Sequence, residues 1–159
     1  MASISFEGLD DLITLCEITS RQTEKIVGRS IYPGAGVMVK EAERATANII
    51  TDATHTETMR RGPTEKQKQG LIESLGIARI KHDKWGWNVK IGYDGYNSIV
   101  TKKYKKGQPN IMIARSVESG TSFMYPQYFM RRAVERAQQQ VEETIEAQFY
   151  EEVKTIWEK

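Results

Sequence analysis

Between Pro126 and Lys159 the residues Met130, Val134, Ala137, Val141, Ile145, Phe149, Val153 and Ile156 recur at steps of three and four. That spacing lines one face of an α-helix. Pro126 is suited to the first helical position, where its missing N–H costs nothing. An unbroken helix to Lys159 would be about 50 Å long at ~1.5 Å per residue. A domain of 159 residues does not need a helix of that length. The spacing therefore predicts that it packs against something outside its own domain or is kinked. An aspartate at Val141 or Ile145 would put an unpaired charge into the apolar stripe and impair folding or assembly.

The chain changes direction just before this helix. Ile111–Ser119 is apolar, and Gly120 after it suggests a helix ended by a glycine cap. Thr121–Tyr125 reads as a short exposed turn before Pro126. Glu118 and Thr121 flank Gly120, which puts a carboxylate beside a hydroxyl; a helix-end carboxylate and an N-terminal cap are the ordinary reading. No catalytic set lies in this stretch. It reads as a geometric joint that leaves Thr121–Tyr125 available to a neighbouring subunit.

The first half alternates between helix and loop signals. Ile4 and Phe6 alternate with Ser3 and Ser5, which suggests a short extended entry. Leu9, Leu12, Ile13 and Cys16 then mark a helix to about Val27, with Asp10 and Asp11 in its first turn, where the helix dipole favours them. Gly28 ends it, and Ile31-Tyr32-Pro33-Gly34 reads as a turn. A second helix over Gly36–Thr51 carries Met38, Ala42, Ala45 and Ile49 on one stripe, small enough for close approach to a neighbour. Asp52–Gln69 reads as a mobile loop, and Gly70–Leu75 as a single helical turn or a strand start. Ile77 and Ile80, then Trp85, Trp87, Val89 and Ile91, alternate as strands around a turn at His82–Lys84. Asp94-Gly95 marks another turn, and Asn97–Pro109 reads as an exposed basic loop. The expected architecture is one α+β domain over residues 1–159. An antiparallel β-sheet packs with an N-terminal helix pair and a long C-terminal helix, and mobile loops lie near 52–69 and 97–109.

Charge and chemistry narrow the function. The formal charge is only +2, so the whole chain has no nucleic-acid signature. Locally, Arg60–Lys106 holds 12 basic and 4 acidic residues, a net of +8, while Arg131–Lys159 holds 5 and 7, a net of −2. A basic middle and an acidic end can pair between copies, or one face can meet an acidic partner. Lys102, Lys103, Lys105 and Lys106 surround Tyr104; lysines neutralise phosphates and an aromatic can stack on a base. A DNA-binding module using Lys102–Lys106 and the preceding hairpin is the alternative function. Cys16 is the sole cysteine, which excludes an internal disulfide, and its neighbours favour burial. His55 and His82 lack companions at metal-ligand spacing. Gly34-Ala35-Gly36 lacks the lysine and hydroxyl of a phosphate loop. A small hydrolase using His55, His82 and Glu118 is the weakest option, and no cofactor is expected. No run of ~18 apolar residues and no secretory leader is present, which points to a cytoplasm and to no membrane partner.

Three blocks carry a family likeness. Ile4-Ser5-Phe6-Glu7-Gly8-Leu9-Asp10-Asp11-Leu12, Gly70-Leu71-Ile72-Glu73-Ser74-Leu75 and, most specifically, Val117-Glu118-Ser119-Gly120-Thr121-Ser122 resemble the tail-completion and head–tail joining proteins of long-tailed double-stranded DNA phages. These are the HK-ninety-seven-type tail components. Pro126, Phe129, Arg131 and Ala133 resemble the residues that follow that family's V-E-x-G-T-S signature. Lys68-Gln69 replace the usual residues before the glycine of the second block, and Gln127 and Tyr128 intervene between the proline and the phenylalanine. The resemblance implies a non-enzymatic α+β protomer that assembles as a ring, homo-hexameric by analogy with six-fold tails, from a chain that can be a monomer before it meets its template. It implies tail tube or tail terminator and head-side neck proteins as partners, with genomic DNA passing through the lumen. It implies a place in the virion after assembly in the host cytoplasm. The residues expected at the subunit or partner interface are Glu118, Gly120, Thr121, Ser122, Phe123, Tyr125, Pro126, Phe129 and Arg131. Lys102, Lys103, Lys105 and Lys106 are expected to face the DNA channel or an acidic partner.

Overall fold

The computed structural model describes residues 9–52, 59–84 and 86–158. The extended entry at Ile4 and Phe6, His55 and Trp85 lie outside them, as does the Cys16 side chain. The order is α1 (Leu9–Ala47), α2 (Glu65–Ser74), β1 (Leu75–Ile77), β2 (Lys81–Asp83), β3 (Gly86–Asn88), β4 (Ile91–Tyr93), α3 (Asn110–Ser119) and α4 (Phe129–Trp157). The class is α+β, with helices dominant and two small antiparallel sheets.

The expected N-terminal helix pair is a single helix of 39 residues. Gly28, Pro33, Gly34 and Gly36 all lie inside α1 rather than ending it. Locally these residues disfavour the helix by about 6 kcal/mol, from ~1 for each glycine and ~3 for the proline. Pro33 also lacks the N–H that would bond the Arg29 carbonyl. Packing against α4 offsets this. A Cβ on Gly34 would sit 2.4 Å from Ile145 Cγ1 and 3.3 Å from the Val141 carbonyl oxygen. Gly34, which reads as part of a turn, is the notch into which α4 fits. Ala42 and Ala45 are buried, as the alanine-rich stripe predicts.

The two long helices run antiparallel. Arg29 pairs with Glu152 at 3.1 Å and Glu41 with Arg136 at 3.0 Å, so partner numbers fall along α4 as they rise along α1. Much of the α4 stripe is thus used inside the chain, with Ala137 buried and Val141, Ile145, Val153 and Ile156 half-buried. The helix also starts three residues later than Pro126 suggests. Tyr128 is its N-cap, in the left-handed region at φ 48.

The core lies where the C-terminal half of α1 meets α2, α3, β4 and the start of α4. Ala45, Ile49, Leu71, Tyr93, Ile113, Ala114, Val117, Phe129 and Ala133 form it. Residues 65–69, read as loop, are the first half of α2. Thr64 Oγ1 accepts from the Gln67 N–H while Gln67 Oε1 accepts from the Thr64 N–H, a reciprocal cap that starts a helix at a defined residue. Leu71 sits fully enclosed on its buried face.

The strands form one interrupted hairpin. β1 and β4 pair as Leu75↔Tyr93, Gly76↔Gly92 and Ile77↔Ile91, and β2 and β3 as Lys81↔Asn88, His82↔Trp87 and Asp83↔Gly86. His82 is therefore in a strand, not in the turn, and its ring lies against Trp87 at 4.7 Å between centres, tilted by 45°. The Ile80 N–H donates to the Tyr32 hydroxyl at 3.0 Å, which rests the outer hairpin on the middle of α1.

Candidate functional site

The joint begins where α3 ends. Gly120 has φ 73, and a Cβ there would lie 2.8 Å from the Met124 carbonyl oxygen and 2.9 Å from Pro126. Only glycine combines that φ with that approach. The helix with a glycine cap read over Ile111–Ser119 is present. After it, the Thr121 N–H donates to the Met124 carbonyl at 2.9 Å and the Met124 N–H returns to Thr121 at 3.3 Å. Arg60 then pairs with the loop from outside: its N–H donates to the Phe123 carbonyl at 2.7 Å and its carbonyl accepts from Tyr125 at 3.0 Å.

The α4 entry is held by α3. The Glu118 carboxylate accepts from the Met130 N–H at 2.9 Å and the Arg131 N–H at 3.2 Å. These are two of the four N–H groups a helix start leaves without partners, and a carboxylate there also suits the helix dipole. The Val117 and Glu118 carbonyls accept from Gln127 and Tyr128 at 2.8 and 3.2 Å. Four hydrogen bonds thus join the end of α3 to the beginning of α4. They hold Tyr128 in its left-handed conformation, and the Arg131 guanidinium lies 5.3 Å from the Tyr128 ring centre.

Gln127 is the residue that the sequence reading passed over. Its amide nitrogen donates to the carbonyls of Ile50 at 2.8 Å and Arg61 at 3.0 Å, and its amide oxygen accepts from the Ile50 N–H at 2.9 Å. Gly62 makes room for this: a Cβ there would fall 1.7 Å from the Ile50 carbonyl oxygen. Three segments distant in sequence are tied through one side chain. The only sequence signal was the glycine of Gly62-Pro63, which reads locally as a turn.

These contacts divide the nine expected interface residues. Phe129 is a core residue, packed near Tyr93 at 6.3 Å between ring centres, so it is not available to a partner. Glu118 and Gly120 serve the joint itself. Thr121, Ser122, Phe123, Tyr125, Pro126 and Arg131 remain exposed, with Phe123 at 69% and Tyr125 at 55% of full exposure. Beside them Ile50, Pro126, Gln127, Arg132 and Arg136 line a shallow hollow of about 260 Å³. An exposed aromatic pair on a loop braced from three sides is a contact surface that loses little freedom on binding.

No protein-family model, no curated protein and no solved structure matches this chain.

The basic loop is built differently from a free loop. Buried Asn97 organises it: its Oδ1 accepts from Ile99 at 2.9 Å and Gln108 at 3.2 Å, and its N–H donates to the Gln108 carbonyl at 2.9 Å. Gln67 of α2 donates to Gln108 at 2.8 Å, and Tyr104 reaches Met112 of α3. Lys102, Lys103, Lys105 and Lys106 are exposed on this frame, and Lys103 lies over the Tyr104 ring. Among the described residues none of the four forms an ion pair. The base of the loop holds two buried atoms without partners, Asn97 Nδ2 and Asn110 Oδ1, and both side chains crowd Gly70, where a Cβ would meet Asn97 Cβ at 2.7 Å and Asn110 Oδ1 at 2.9 Å.

One ionisable group in the core is perturbed. Burial pushes the Tyr93 hydroxyl up to about 12, the Thr46 hydrogen bond lowers it and the nearby Glu118 charge raises it. The Tyr93 and Thr46 hydroxyls share a 2.6 Å hydrogen bond in which either can donate, Thr46 also reaches the Ala42 carbonyl at 2.7 Å, and Tyr93 also reaches Met130 Sδ at 3.5 Å. His82 and Glu118, two of the three residues read for a hydrolase, belong to separate elements with the contacts given above. Among the described residues no three of His, Cys, Asp and Glu converge as metal ligands, and no helix is long and apolar enough to cross a membrane.

Proposed function

We propose that the chain is a non-enzymatic structural protein of the head–tail junction of a long-tailed double-stranded DNA phage. In this reading it completes the tail and joins it to the neck or capsid as a ring around the DNA channel. Its place is the virion, after assembly in the host cytoplasm. The observation that carries the reading is the Val117–Ala133 block. Its V-E-S-G-T-S sequence resembles the family signature, and its glycine, carboxylate and proline build a braced joint with Phe123, Tyr125 and Arg131 facing outward. Such a part suits fixed-angle contacts between protomers or with tail and neck proteins. The test is to image particles assembled with and without the chain, and with Phe123→Ala plus Tyr125→Ala. Unjoined tails in the absence of the chain, with partial joining by the double variant, are expected. Normal joining without the chain would end the proposal.

A second reading has its own observation. Lys102, Lys103, Lys105 and Lys106 stand exposed on a pinned loop, a geometry that can hold a phosphate backbone as a DNA-binding module. It calls for duplex binding that weakens steeply with salt. No mobility shift at low salt would remove it. Both readings hold together if the loop lines the lumen.

A further inference from the structure

We infer that neighbouring copies of the chain join by laying the Lys102–Lys106 loop of one against the outward acidic and aromatic face of α4 of the next. The inference rests on the self-association in the ring reading, not on the phage setting.

The face follows from helical spacing. Ala133, Ala137 and Val141 turn toward α1, so residues near half a turn away point outward. Glu135, Glu142, Glu146, Tyr150 and Trp157 follow steps of four and seven, which keeps them on one side of a helix. Glu135, Glu142, Glu143 and Glu146 are exposed, and Tyr150 and Trp157 are 68% and 57% exposed. Glu142 and Glu143 accept only from the neutral amides of Gln138 and Gln139 one turn earlier. Among the described residues none of these four glutamates has an ion pair. This acidic half-helix ends in exposed aromatics, where Tyr150 packs edge-on to Phe149 at 6.5 Å between ring centres.

The loop supplies both properties in complement. Its four lysines have no acidic partner among the described residues, and Val100 and Tyr96 at its base are 66% and 60% exposed. Asn97 and Gln67 fix its shape before any contact forms, so little freedom remains to lose. Within one copy the two surfaces are far apart along the fold. The loop sits on α2 and α3 beside the core, whereas Glu146 lies 13 residues beyond Ala133, about 20 Å along α4. Two different patches that complement each other make a head-to-tail contact, which repeats into a closed ring or an open filament. The exposed aromatics supply the dry centre and the charges the rim.

The experiment uses the full chain and two charge-reversed variants, with low and high salt compared. In the first, Lys102, Lys103, Lys105 and Lys106 become Glu; in the second, Glu135, Glu142, Glu143 and Glu146 become Lys. Sedimentation measures association, and carbodiimide cross-linking of mixed light and heavy isotope copies locates it. The wild type is expected to associate, less at high salt, with cross-links between copies joining 102–106 to 135–146. Each variant alone should associate more weakly, by about tenfold or more. Mixing the two should restore association, because each then meets the opposite charge. All eight positions are exposed, and circular dichroism checks the fold; Lys→Gln at the same four loop positions is the milder variant if reversal disturbs it. Four outcomes overturn the inference: a wild type that stays monomeric at its highest soluble concentration, cross-links that fall elsewhere, a mixture no better than either variant alone, and loop variants that lose DNA binding but associate normally. The first leaves standing a ring that forms only on a template, and tail joining by a monomer would leave the junction role standing.

Discussion

Leu71, Val117, Thr46 and Ala133 are wholly enclosed where five elements meet. Some 20 Å away along the same two helices, α1 and α4 pack chiefly on each other, with Tyr32 of α1 also holding the outer hairpin. There Ile26, Ser30 and Ala35 are buried on α1, and the facing Val141, Ile145, Val153 and Ile156 are half-buried. The first region, the head of the molecule, is closed on every side; the second, the arm, is a pair of helices with two faces open to solvent. In the head, each side chain is specified by several neighbours, and backbone groups are satisfied by Gln127, Glu118 and Asn97 from distant segments. In the arm, one glycine notch and an exposed ion pair set the register. Such a pair buries half of what a packed helix can bury, so its outward face is the part of the molecule with most still to gain from a partner.

The largest expected effect probes the head. Leu71→Ala should cost about 2–5 kcal/mol, because a fully enclosed side chain leaves a cavity that its surroundings fill only in part. Urea unfolding should show the loss in the midpoint for the whole chain. Loss confined to α2 would mean that the head is not one cooperative unit.

Tyr93 gives a pH test of the same region. Its folded value is about 12 against 10.0 for the free group. The unfolded chain therefore releases this proton first, and the stabilising difference is complete below pH 10 and lost as pH rises from 10 through 12. The loss at the upper end is at most about 3 kcal/mol. Alkaline unfolding with tyrosinate absorbance measures it, and Tyr93→Phe should remove the dependence that belongs to this group. An unchanged alkaline limb in Tyr93→Phe would place the loss elsewhere.

Gly34→Leu tests the arm. The new side chain begins 2.4 Å from Ile145, so the helices must part there, at about 1–3 kcal/mol. Amide exchange should rise on both sides of the notch while the core near Leu71 and Val117 keeps its protection. Equal loosening of both regions would show that head and arm are one unit and would break the contrast.

Smallest is Glu118→Gln, expected at about 1 kcal/mol from a weakened helix start. It should also lower the Tyr93 titration, since the Glu118 charge helps to raise it. A Tyr93 titration that does not move would separate the joint from the core. Because Glu118 is used inside the chain, this variant should affect stability more than assembly, unlike Phe123→Ala.

Elements with local causes were legible. The apolar stripe of α4, the glycine cap after α3 and the antiparallel hairpin all follow from spacing and glycine placement. So did the exposure of Thr121, Ser122, Phe123 and Tyr125 and of the four loop lysines, while Met124 between them packs on the core. The misreadings have a common source. Gly28 reads as a helix stop and Ile31-Tyr32-Pro33-Gly34 as a turn, yet α4 packed against α1 carries the helix through them. Pro126 reads as a helix start, yet the Glu118 carboxylate and Tyr128 move the start to Phe129. Phe129 is expected at an interface, yet it turns inward beside Tyr93. Gln127, an intervening residue in sequence, ties together Ile50 and Arg61 through its amide.

The sequence alone determined which segments are amphipathic, where charge collects and where the chain must turn, because those follow from residue types a few positions apart. Tertiary structure decided whether a helix-breaking residue breaks a helix, which carboxylate caps which helix, and which aromatic is core and which is surface. Each of those depends on a neighbour 12 to 111 positions away. At such sites the contact energy exceeds the local preference.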